Sequence, residues 1–77
     1  MAMRYFLLVF DRAAGRLVDE VKEFDSSADA LGARFEREQA ERGNASIEVV
    51  VLGAENRRAL EATHARYFGA AGELAAS

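Results

Sequence analysis

Apolar and polar residues alternate along this chain in blocks, and the period within each block changes from one to the next. Arg4 to Phe10 (RYFLLVF) is apolar at every position after Arg4, so a strand there is hydrophobic on both faces and belongs at the centre of a sheet. DRAAGR, residues 11–16, follows with Asp11 to initiate a turn and Gly15 to take a positive φ. It predicts a hairpin into a second strand, LVDEVKEF, residues 17–24. Asp19, Glu20, Lys22 and Glu23 on that strand suit an edge position, because charge deters further pairing.

The period then becomes helical. Ser26 is placed to cap a helix that runs to about Arg42 and stops at Gly43, with Ala28, Leu31, Phe35 and Gln39 expected on its inner stripe. Gly32 beside that stripe is expected to permit a close approach of another backbone. SIEVVVLG, residues 46–53, reads as a third strand, broken in its apolar run only by Glu48. Asn56 caps a second helix over 57–68, whose Leu60, Thr63, His64 and Tyr67 share one face with Phe68 beside them. The last nine residues, GAAGELAAS, have little to bury and are expected to fray.

The order ββαβα specifies an α+β domain over residues 4–68. A right-handed crossover makes the third strand parallel to the second, and the charged second strand cannot be central. The first strand therefore lies between them, antiparallel to both, in a mixed three-stranded sheet of order 2-1-3. Both helices are expected on one face.

Size and composition narrow the function classes. Seventy-seven residues make one domain with a marginal core, and the chain has no cysteine with which to staple it. Self-association is the remaining way to add buried surface. No apolar run spans a bilayer and no secretory leader is evident, so a cytoplasmic protein without membrane contact is expected. Thirteen acids against ten bases give a net charge of −3, which argues against a surface built as a whole for an anionic partner.

The residues that could carry chemistry are few. The serines fall at a helix cap, a strand start and the C-terminus, without a paired base, so no catalytic group is assigned and no enzymatic activity is expected. A single histidine, His64, with scattered carboxylates has no metal-ligand spacing, and the dispersed glycines make no phosphate loop. No metal or cofactor is therefore assigned. The stretch THARYF, residues 63–68, concentrates His64, Arg66 and Tyr67, which are candidates for contact with a small ligand or partner. The competing reading makes Tyr67 a core residue and His64 a boundary residue near the negative end of the helix. Arg12 and Arg16 in the turn, with Arg57, Arg58 and Arg66 on the second helix, are the residues a nucleic acid would use, although glutamates share those helices.

RYFLLVFDRAAGRL, IEVVVLGA and ALEATHARYF together resemble a set of short, uncharacterised bacterial proteins of high-GC actinobacterial type. The resemblance covers residues 4–68 and implies one module, with no activity, substrate or cofactor to assign to any residue.

The function expected is a small non-enzymatic interaction or scaffold module that acts as a homodimer, with another protein as a further partner. A nucleic-acid-associated regulator is the second reading and a small-ligand binder the third. Two geometries serve the dimer. In one, Ile47, Val49, Val50 and Val51 of the third strand pair with their own copies; in the other, an uncovered sheet face bearing Phe6 and Leu8 stacks on its copy.

Overall fold

The computed structural model describes residues 3–68. Its central element is β1 (Arg4–Asp11), whose five residues Phe6 to Phe10 are all buried. Asp11 closes the strand by accepting backbone N–H bonds from Ala13 and Ala14 at 2.9 and 3.1 Å. Gly15 completes the reversal at φ 73°, a left-handed conformation in which a side chain would be strained.

The returning strand comes in two pieces, β2 (Arg16–Leu17) and β3 (Lys22–Phe24). Both pair antiparallel with β1, Leu17 opposite Phe10 and Lys22 opposite Leu7. Three steps along β1 are thus matched by five along the partner, and the two surplus residues interrupt the ladder between the pieces. The predicted continuous second strand is corrected to this broken one.

α1 (Ser27–Ala40) follows, with Ser26 Oγ accepting from the Asp29 N–H at 3.1 Å. It leads to β4 (Ile47–Ala54), which runs antiparallel to β1 along that strand's entire length. α2 (Arg57–Thr63) is capped by Asn56, whose Oδ1 accepts from the Ala59 N–H at 2.8 Å. The helix then tightens into a 3-10 turn over Ala65–Phe68, where a continuous helix to residue 68 had been expected. The mixed α+β class and the central, doubly antiparallel β1 are as the pattern predicts. The expected frayed tail, 69–77, lies outside the described residues.

The helices occupy opposite faces of the sheet, which corrects the expectation of two helices on one face. Phe6, Leu8 and Phe10 pack with Leu60 of α2 and Tyr67 of the 3-10 turn. Leu7, Val9 and Val49 pack on the other side with Ala33 of α1 and Phe24. The cause lies in β1 itself: a strand apolar on both faces needs cover on both, and one helix on each supplies it.

The face that α1 turns inward also differs from the expected stripe. Ala30 is fully buried and Ala33 packs on the sheet, whereas Leu31 and Phe35 are 50% and 62% exposed. Leu7, Val9, Val49 and Phe24 already fill the space above the sheet, so alanines face it and the larger side chains are excluded. Gly32 has open space where a Cβ would stand, so it answers to no close approach.

Candidate interaction edge

Each edge of this sheet is a row of backbone donors and acceptors, and the two edges differ. The β2–β3 side is interrupted by its surplus residues and carries Asp19, Glu20, Lys22 and Glu23 beside the break. Arg4 reaches across to Glu23 and Asp25 there, and those hydrogen bonds hold its guanidinium above the usual range. Charge and a broken ladder both deter strand addition.

β4 has the opposite character. Its eight residues, IEVVVLGA, are continuous and carry one charge, and among the described residues no strand pairs with its outer side. Which of its backbone groups are free follows from the ladder. The Val18 N–H donates to Val9 O at 2.8 Å and the Arg12 N–H donates to Ser46 O at 2.9 Å. Odd-numbered residues of β1 therefore turn their backbone groups toward β2 and β3, and even-numbered ones toward β4. In register Leu8 lies opposite Val50 and Phe6 opposite Leu52, so the even residues of β4 are committed to β1. Ile47, Val49, Val51 and Gly53 point outward, and of these the Ile47 N–H is taken up by Asn44 O at 3.1 Å.

Side chains on this edge are of two kinds. Val49 is buried beneath α1, while Ile47, Val50 and Val51 are half-buried. The expected stacked interface does not survive, since Phe6 and Leu8 are 1% and 0% exposed and are covered by α2 and the 3-10 turn.

The THARYF segment resolves into a small polar network at the rim of the core. Tyr67 is 6% exposed, its ring meets Phe10 edge-on at 5.1 Å, and its hydroxyl donates to Glu48 Oε2 at 2.9 Å. Arg66 donates to the same hydroxyl at 2.7 Å and to Glu48 at 3.4 Å, and lies over the Tyr67 ring at 4.1 Å. Burial, with Glu48 beside it, pushes the Tyr67 phenol up from its ordinary value. The network ties the 3-10 turn to β4 and leaves Tyr67 no free polar atom for a ligand. His64 is half-buried at the C-cap of α2, where its backbone N–H bonds Leu60 O at 2.9 Å and its O accepts from the Tyr67 N–H at 3.1 Å. It shapes the change from helix to 3-10 turn, with its ring 6.4 Å from that of Tyr67.

The five candidate arginines form no single stripe. Arg12 and Arg16 sit at the turn end of β1, while Arg57 and Arg58 begin α2 after β4 has run back to the level of Arg4. The length of an eight-residue strand, about 25 Å, separates the two groups. Three of the five have intramolecular partners: Arg12 the Ala45 carbonyl, Arg57 the Glu61 carboxylate at 2.8 Å and Arg66 Glu48 with Tyr67.

One concavity that the sequence did not indicate opens beside α1. About 220 Å³ in volume, it has Leu7, Val9, Ala33 and Ala40 as an apolar floor. Asp19 and Arg37 pair at its rim, and that hydrogen bond raises the Arg37 pKa against the opposing effect of burial. The hollow lies where the surplus residues bow away from β1, a displacement that no pattern of apolar positions encodes. Among the described residues no cluster of side chains could hold a metal ion, and no helix is long and apolar enough to cross a membrane. Comparison with family models, curated proteins and solved structures returned no match.

Proposed function

We propose that this chain is a non-enzymatic interaction module that works as a homodimer joined through the outer edge of β4. One observation carries the reading: the outward backbone groups of Val49, Val51 and Gly53 have no partner strand among the described residues, on an edge with neither proline nor bulge. Such an edge is a template for a further strand, and monomers ordinarily blunt it with charge or a break. The same fold blunts its other edge in both ways. A second copy, antiparallel about a two-fold axis, would meet the need for buried surface in a chain without disulfides.

Sedimentation equilibrium at micromolar concentration tests this directly, with twice the chain mass expected. Val51→Pro removes an outward N–H and leaves the β1 ladder intact, so it should yield a folded monomer. A wild type of single-chain mass would overturn the reading.

A further inference from the structure

Three elements wall the hollow beside α1. Ala33, Glu36, Arg37 and Ala40 stand at i, i+3, i+4 and i+7, so a single stripe of the helix lines it. Leu7 and Val9, both buried, close the bottom from β1. Lys22 lies opposite Leu7 in the ladder and leaves the sheet on the same side, while Asp19 and Glu20 come from the segment that bows away. Because two of the four helix residues are alanines, the space stays open, and at about 220 Å³ it is many times what one water needs.

The charges at its rim do not balance. Arg37 is held between Asp19 and Glu41, the latter at 2.9 Å. Glu20, Lys22 and Glu36 enter none of the ion pairs among the described residues. Asp19, Glu20 and Glu36 against Lys22 and Arg37 leave one negative charge in excess, and Glu41 adds another. Lys22 can therefore offset only one of Glu20 and Glu36. The hollow also lies against the C-terminal half of α1, the end at which the helix dipole is negative. We propose that it is a binding site for a small primary alkylammonium ion, with the chain on Leu7, Val9, Ala33 and Ala40 and the ammonium group at the rim beside Glu20 and Glu36.

Floor and rim together select this class. An aliphatic carboxylate brings a like charge to a rim already in excess, and a hydrated metal cation leaves the apolar floor uncovered. An ammonium group on a short chain suits both, since the chain leaves water while the charge stays at the wet mouth. The Asp19–Arg37 pair joins α1 to the bowed segment, so the two walls are fixed before a ligand arrives. The site adjoins β2 and β3, across β1 from β4, so strand pairing at β4 leaves it open.

Pentylamine, protonated at pH 7 as lysine is, serves as the probe in an NMR titration of the labelled full chain. Saturable shifts are expected at Leu7, Val9, Ala33 and Ala40. Affinity should rise about fourfold per methylene from propylamine to pentylamine. Valerate, which reverses the charge, and pentanol, which removes it, should both bind more weakly than pentylamine. Glu36→Gln should weaken pentylamine by about twofold to fivefold, as loss of an exposed charge pair does. Ala40 is exposed, so Ala40→Leu fills the mouth without entering the core and should abolish the shifts with an unchanged far-UV spectrum. Pentylamine that gives no saturable shift at these four residues would overturn the site. Equal binding of valerate or pentanol would overturn the ammonium ion as its ligand. Shifts that survive Ala40→Leu undiminished would place the amine elsewhere and overturn the assignment to this hollow.

Discussion

Tyr67 and Glu48 join the 3-10 turn to the open strand: the phenol donates to the Glu48 carboxylate at 2.9 Å while its ring closes the core against Phe10. The two halves of that residue separate by mutation. Tyr67→Phe keeps the packing and loses the hydrogen bond, for about 1 kcal/mol in urea unfolding. Tyr67→Ala also loses the ring and should cost about 3–5 kcal/mol.

The same pair gives the fold a dependence on alkaline pH. The Tyr67 phenol titrates higher in the folded chain than its ordinary 10.0, because burial and Glu48 disfavour the phenolate. The folded state thus holds this proton more tightly than the unfolded state does. The associated stability is fully present below pH 10.0 and is lost as pH rises through the higher folded value. Stability of the wild type should fall more steeply above that pH than stability of Tyr67→Phe, measured by denaturant melts across the range.

The contrasting burial of Phe35 and Leu60 can be read in the same assay. Leu60 is fully buried under the Phe6, Leu8 and Phe10 face, and Leu60→Ala should destabilise by about 2–5 kcal/mol. Phe35→Ala, at a side chain 62% exposed, should change the stability of the isolated protomer by no more than about 0.5 kcal/mol. Melts are best run at a concentration low enough to populate single chains. A large loss from Phe35→Ala under those conditions would place its ring inside the protomer.

Asn56 holds more than its position suggests. α2 has only seven residues and no acidic side chain in its first turn, so the Asn56 cap is the side chain that satisfies its leading N–H groups. Asn56→Ala should cost about 0.5–2 kcal/mol, and Asn56→Asp should retain the stability, since a carboxylate accepts the same bond and suits the helix start. Thermal unfolding of the two variants side by side checks both.

The strands, caps and turn were legible because each depends on near neighbours. Ser26 and Asn56 cap as expected, Asp11 and Gly15 make the turn, and the unbroken apolarity of β1 marks it as central. The outer residues of α1 were not legible, for a reason that lies across the sheet. Whether Leu31 or Ala30 turns inward depends on how much volume Phe24, Leu7 and Val49 have already taken, and Leu7 and Val49 are distant from α1 in sequence. Apolarity on both sides of β1 showed that both needed cover, yet the side each helix takes follows from the path of the chain between them. The candidate edge was legible as the valine run of β4. Its division into inward and outward residues was not, since the phase of the ladder is set by the pairing of Val9 with Val18 and of Arg12 with Ser46.

The two surplus residues between Leu17 and Lys22 would have a further effect in the strand-paired dimer proposed above. A sheet with two equivalent open edges can add copies at either side without end, which is how stacked-strand fibres grow. Here one side is interrupted and lined with acids, and the other would be consumed by the proposed pairing of two chains. Assembly of the proposed dimer would then terminate at two, and the irregularity that spoils one strand would act as a stop on polymerisation.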